Sequence, residues 1–127
     1  MYSVSVEARF SAVHQVRLGD GTLEPPHEHD WLVRACFSRS ELDEVGMVVD
    51  FSKARSALQS VLARLDHADL NSHEGLAGKN PTAEVVARYI FDRMAEPGLS
   101  VPRRIEVTEA PGCVAAYGPA GLDENAG

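Results

Sequence analysis

No apolar run in this chain approaches the roughly 18 residues of a membrane-spanning helix. The first ten residues, Met1 to Phe10, lack the continuous apolar core of a secretory signal; they alternate and carry charge early, as a strand does. Cations are scarce. Twelve Lys and Arg stand against nineteen Asp and Glu, a formal charge of −7. That balance argues against nucleic acid as a partner, because a phosphate backbone needs a basic face. It also requires any anionic ligand to be met by local cations. Only two cysteines occur, Cys36 and Cys113, and they have neither CxxC nor metal-knuckle spacing. A reducing, cytoplasmic setting is the expectation, with Cys36 a small core residue of an apolar strand. The sequence has no low-complexity tract and no internal repeat.

There is enough apolar material for one core: 44 % of 127 residues are hydrophobic. A single domain is expected over residues 1–117, and the Gly-, Ala- and acid-rich residues 118–127 read as a fraying tail. In residues 2–10, Tyr2, Val4, Val6, Ala8 and Phe10 share one face, the mark of a half-buried strand. Arg17 to Pro26 is a loop rich in turn formers. The period of two returns from His27 to Phe37, so an antiparallel hairpin is expected. Asp50 can cap a helix whose stripe is Phe51, Ala54, Leu58, Val61, Leu62 and Leu65. Asn80-Pro81 opens a second helix, with Asn80 as the capping residue, and Pro97-Gly98 ends it. Arg104 to Glu109 and Cys113 to Tyr117 read as two further strands around a Pro111-Gly112 turn. The fold class is α+β: β-β-α-α-β-β, a four-stranded antiparallel sheet with two helices on one face. Its two open edges call for protection by assembly.

His27 and His29, one residue apart on a strand, place both imidazoles on the face that carries Trp31 and Val33. His14, near the end of the first strand, can be brought beside them by the hairpin. Three histidines with one open position match a catalytic zinc site. Pattern alone leaves a metal site and three unrelated histidines both open.

The order F-x(3)-H at Phe10–His14, His27-x-His29 after a loop, GMVVDF, LDHADLN, NPTAE and a late glutamate before a short final strand resembles the 6-pyruvoyltetrahydropterin synthase family, which includes the 6-carboxy-tetrahydropterin synthases of queuosine synthesis. The resemblance runs from Tyr2 to Tyr117. It implies the T-fold, a homo-hexamer built as a dimer of trimers, and sites that lie between subunits. It implies zinc on His14, His27 and His29, a proton-relaying pair at Asp66 and His67, and a pterin-like ligand held by Glu109 and Thr82.

The chain departs from that family pattern in three places. Leu23 stands where the standard members have a catalytic cysteine, and leucine can carry no proton. Glu24, one residue on, gives E-x-x-H-x-H and resembles a subgroup with glutamate in that role, linked to cleavage of the dihydroneopterin side chain; a solvated loop acid is the other reading. Glu28 replaces the glycine between the histidines. The loop from Leu18 to Pro26 has no lysine or arginine, so loss of the standard triphosphate reaction is expected. His73 matches no family motif and reads as a solvated loop residue. Three functions are carried forward: a pterin-binding homologue without the standard reaction, a zinc-dependent side-chain lyase using Glu24, and a structural oligomer with a vestigial pocket.

Overall fold

Two long strands carry the fold. In the computed structural model, which describes residues 1–95 and 101–119, β1 (Tyr2–His14) and β2 (His27–Arg39) pair antiparallel over their full length, from Tyr2 opposite Arg39 to His14 opposite His27. Both run further than the sequence periodicity indicated. Alternation sorts their side chains between two faces. Val6, Phe10, Ala12, Trp31, Val33, Ala35 and Phe37 are buried on one face, where the Phe10 and Trp31 rings stack at 5.6 Å on a shared rung. The opposite face carries a charge ladder in which Arg34 meets Glu7 at 2.7 Å and Glu106 at 3.7 Å, and Arg104 meets Glu106 at 2.9 Å. Cys36 is half-buried on the charged face, opposite Ser5 and Arg104, and not in the core as expected. Its parity is that of Arg34, and the apolar run around it hid this.

Helix α1 (Phe51–Leu62) starts where the Asp50 carboxylate accepts from the N–H groups of Ser52 and Lys53. Ala54, Leu58, Val61 and Leu62 bury its inner stripe. Phe51, counted in that stripe from the sequence, is exposed at the first turn, whereas Leu65 is fully buried in the turn after the helix. Burying a leucine of this kind contributes roughly 1.5–3 kcal/mol.

A fifth strand went unforeseen. The two-residue β3 (Ala68–Asp69) pairs parallel with Ala12 and Val13 of β1. The sheet is therefore mixed, in the order β3-β1-β2-β4-β5, where four antiparallel strands were expected. Two residues are too few to show a period.

The start of α2 (Ala83–Met94) also differs. Its N-cap is Thr82, whose hydroxyl accepts from the N–H of Val85 at 3.2 Å. The Asn80 side chain is engaged elsewhere: it accepts from the N–H of Arg17 at 2.8 Å and donates to the Arg17 carbonyl at 2.9 Å. The expected helix stop at Pro97-Gly98 lies outside the described residues, as does most of the expected tail, residues 120–127. Strands β4 (Arg104–Ala110) and β5 (Cys113–Tyr117) pair antiparallel around Gly112, whose φ of 80° suits a tight turn.

Both helices pack on the apolar face, α1 against β1 and α2 against β4 and β5. Pairing of β2 with β4 covers Leu32–Cys36 opposite Arg104–Thr108, so β2 from His27 to Trp31 lies beyond that ladder. Among the described residues no helix is long and apolar enough to cross a membrane.

Candidate metal and ligand site

The last rungs of the β1–β2 hairpin bring the histidines together. His14 stands opposite His27, and His29 stands opposite Ala12, all on the helix-covered face. One ring nitrogen from each of His14, His27 and His29 lies within 4.8 Å of the others. His14 is 0 % exposed, held edge-on against Trp31 with centroids 4.9 Å apart. Its Nδ1 is 2.8 Å from the Pro81 carbonyl oxygen. A carbonyl only accepts, so Nδ1 carries the hydrogen and Nε2 keeps its lone pair. That Nε2, and the Nε2 of His29, are buried without a hydrogen-bond partner. Buried unpaired nitrogens are costly. A shared cation relieves both.

Glu109 closes this cluster from β4. Its Oε1 is 3.6 Å from His14 Nε2 and its Oε2 is 3.8 Å from His29 Nε2. The β4–β5 register shifts between Thr108 and Ala110, which leaves Glu109 without a rung partner. Such an irregularity re-aims a side chain. Here the carboxylate faces His14 and His29.

Residues 15–26 form an ordered loop. Backbone pairing links Arg17 with Leu23 and runs from the Glu24 N–H to the Val16 carbonyl at 3.1 Å. At its tip the Asp20 carboxyl is held below its ordinary range by the Thr22 hydroxyl and then by the Thr22 N–H. This pairing fixes parity. Leu23 turns outward and is 56 % exposed. Glu24 turns inward at 23 % exposure, with Oε1 3.8 Å from His27 Nδ1 and 3.3 Å from the Val16 N–H that donates to it.

Two cavities meet at Glu109. One, of about 460 Å³, is lined by Val16, Glu24, Thr82, Glu84, Glu109 and Cys113 among others. The second, of about 510 Å³, is lined by Arg9, Glu28, His29, Asp30, Thr108 and Glu109 among others. Thr82 thus both caps α2 and lines the first cavity. Cys113 had no role assigned from the sequence. The signal available was its place at the start of the strand that returns beside Glu109.

Asp66 and His67 do not join this cluster. They grip the β1 edge at Ser11, whose N–H donates to Asp66 Oδ1 at 2.9 Å and whose carbonyl accepts from the His67 N–H at 2.6 Å. His67 has a φ of 61°, uncommon for a residue other than glycine. Its imidazole is 82 % exposed and 3.5 Å from Asp66 Oδ2. His73 corrects its expected role as a solvated loop residue. It is half-buried; its Nδ1 accepts from Gly75 N–H at 3.0 Å and its Nε2 hydrogen reaches the Arg64 carbonyl at 3.1 Å. It is a fastener for the short 3-10 helix Glu74–Leu76.

Residues 3–120 fit the family described as 6-pyruvoyl tetrahydropterin synthase. The chain belongs to that family. It is 32 % identical over 122 residues to the 6-carboxy-5,6,7,8-tetrahydropterin synthase of Synechocystis sp., covering 92 % of this chain and 93 % of the relative. The Bacillus subtilis 6-carboxy-5,6,7,8-tetrahydropterin synthase is 30 % identical over 98 residues, covering 73 % of this chain and 65 % of the relative. Among solved structures, Caenorhabditis elegans 6-pyruvoyl tetrahydropterin synthase superposes with a TM-score of 0.77 at 24 % identity, covering 94 % of this chain and 96 % of that one. A Plasmodium vivax 6-pyruvoyltetrahydropterin synthase, a mutant in a catalytic glutamate, gives 0.72 at 19 % identity, covering 91 % and 96 %. At these identities the structural likeness carries the fold. The family fold is thus the mixed five-stranded α+β arrangement described above.

Proposed function

We propose that the protein is a zinc-dependent lyase that cleaves the side chain of a dihydropterin, with Glu24 as its acid–base group and Glu109 as its ring anchor. The inward turn of Glu24, beside His27 and in one cavity with Glu109, is the observation that carries this reading. It also favours the lyase over a binding-only homologue, since that reading rested on Leu23 leaving the site without a base.

The donor set fits zinc: three neutral imidazoles and an open position, two of them with buried Nε2 atoms that lack any other partner. When bound, the ion polarises a side-chain oxygen of the substrate. Glu109 accepts from the 2-amino and ring N–H groups of the pterin in bidentate fashion, as a carboxylate accepts arginine. Glu24 removes a side-chain hydroxyl proton. The adjacent C–C bond then breaks, an aldehyde leaves, the electron pair enters the conjugated C=N of the dihydropterin, and the proton returns to the ring fragment. Carboxylate chemistry has a precedent in the fold, as a glutamate is a catalytic residue of the Plasmodium vivax protein.

The exposed Asp66–His67 pair belongs to the same reading through assembly. Among the described residues β3 covers β1 only at Ala12 and Val13, leaving the rest of that edge open, and β5 is the opposite edge. In a hexamer these edges pair between copies, and Asp66 and His67 supply a proton relay to a neighbour's cavity.

The test is zinc content by mass spectrometry of the wild type and of His14→Ala, with chromatography of dihydroneopterin after incubation with each. Stoichiometric zinc lost in the variant, and aldehyde released only by the wild type, are expected. A wild type that binds pterin but releases no aldehyde selects the binding-only homologue. One without affinity for zinc or pterin selects the vestigial oligomer.

A further inference from the structure

The ladder of β1 with β2 ends at His14, but the outer edge of β1 is hydrogen-bonded further. In an extended chain alternate residues send their N–H and C=O groups to the same edge. On this edge the odd-numbered residues are met in turn. Ser11 is held by Asp66 and His67. The Val13 carbonyl accepts from the Leu70 N–H at 2.9 Å. Strand β3 stops at Asp69, and side chains take over from it. The Gln15 N–H donates to Asn71 Oδ1 at 2.8 Å, and the Gln15 carbonyl accepts from Asn71 Nδ2 at 2.9 Å. Asn80 brackets Arg17 in the same way, at 2.8 and 2.9 Å. A carboxamide offers an acceptor and a donor, as a peptide group does. Two asparagines, one after β3 and one before α2, thus replace two rungs of a strand that is not there.

Val16, between the bracketed residues, faces the other way. Its N–H donates to Glu24 Oε1 at 3.3 Å, and its carbonyl accepts from the Glu24 N–H at 3.1 Å. Gln15 adds a tie, with Nε2 donating to the Glu24 carbonyl at 3.2 Å. All of these need residues 15–17 to stay extended, because a turn there would carry the Val16 peptide groups away from Glu24. Packing does little to enforce it: residues 17–23 are exposed. The hydrogen bonds must do so.

We infer that Asn71 and Asn80 are positioning residues of the reaction: their amides hold residues 15–17 extended and thereby aim the Glu24 carboxylate. This rests on the reading of Glu24 as the acid–base group. Neither asparagine lines the cavities that meet at Glu109, so each acts through the loop backbone. The asparagines of LDHADLN and NPTAE thereby acquire a role. Misplacing a catalytic group by about 1 Å can cost about 10²-fold in rate.

A double-mutant cycle on the zinc-saturated protein tests this. Asn71→Ala and Asn80→Ala should each lower kcat for dihydroneopterin about 10- to 100-fold, with neopterin affinity within about threefold. In the Glu24→Gln background the same changes should move the residual kcat by no more than about twofold, since no proton is left to place. Equal falls in both backgrounds overturn the inference in favour of general loosening. Ser72→Ala, which loses only a bond to Asp69 Oδ2 at 3.1 Å, is the control, and a fall as large there overturns it too. Asn71→Asp keeps one acceptor but sets a carboxylate oxygen against the Gln15 carbonyl; it should share the fall, and it carries the cycle if an alanine variant does not fold. Amide hydrogen exchange gives a readout without turnover: the Val16 and Glu24 N–H groups should exchange about tenfold faster in the asparagine variants than in the wild type. Unchanged protection of these two amides overturns the inference and leaves the lyase reading standing. A wild type that protects both amides but releases no aldehyde overturns the lyase reading, and a catalytic role for the brackets with it.

Discussion

Replacing Glu24 with glutamine separates its proton from its packing. In the folded chain Glu24 Oε1 does two things: it accepts from the Val16 N–H at 3.3 Å and lies 3.8 Å from His27 Nδ1. Glutamine keeps an oxygen for Val16 and the same length, so the loop pairing between Val16 and Glu24 survives and the melting temperature should move little. What glutamine cannot do is take and return a proton. Loss of a positioned acid–base group costs about 10²–10⁴-fold in rate, and each tenfold is about 1.36 kcal/mol of barrier. The expected result is therefore a fall in kcat of that size with zinc content and neopterin affinity nearly unchanged. Glu24→Ala adds a second effect, because the Val16 N–H loses its acceptor, worth about 0.5–1.5 kcal/mol of stability. Leu23→Ala is the control. Its side chain points outward, and kcat should stay within about twofold, as for a surface substitution. The measurements are steady-state turnover of dihydroneopterin, thermal denaturation and zinc analysis on all four proteins. A glutamine variant that keeps more than a third of wild-type kcat would refute Glu24 as the acid–base group. So would a loss of activity in Glu24→Gln that tracks a loss of zinc.

Two further outcomes follow from the same geometry. Glu109→Gln turns one acceptor into a donor facing the pterin N–H fork, and one unpaired polar group costs about 1–3 kcal/mol, so neopterin affinity should fall about 10- to 100-fold by titration; Glu106→Gln, on the charged face with Arg34 and Arg104, should leave it within about twofold. His67→Gly removes the side chain from a left-handed position that costs an L-residue about 1–2 kcal/mol, while freeing the unfolded chain by about 0.4–1 kcal/mol; chemical denaturation should show stability kept or slightly raised while turnover falls, and a stability loss above that range would refute the strain argument.

How much of this was legible follows from where the determining contacts lie. The long strands were readable because burial of one face makes Val6, Phe10, Trp31 and Val33 recur with period two. The same parity placed His27, His29 and Glu109 on the inner face. The α2 cap was misread because Asn80 spends its amide on Arg17, distant in sequence. β3 is too short to have a pattern. The orientation of Leu23 and Glu24 was also out of reach: it is set by the loop pairing of Arg17 with Leu23, and the Pro25-Pro26 break interrupts any parity count from His27. Conversely, LDHADLN announced Asp66 and His67 as neighbours in sequence, but only the fold shows that Ser11 anchors them on the far edge of β1.

The position of His14 and His27 on the terminal rung has a thermodynamic consequence. An ion shared by them would tie the two ends of segment 15–26 and act as a clasp on the loop that carries Glu24. Coupling of this kind is reciprocal: whatever orders the loop must tighten the ion by the same factor, and whatever loosens the loop must release it. The Asp20–Thr22 contacts at the loop tip touch no histidine, yet through that coupling they would enter the dissociation constant of an ion held there. A substitution there would alter metal retention with the coordinating nitrogens intact, and a ligand that sits under the loop would slow metal loss to a chelator without contacting the metal.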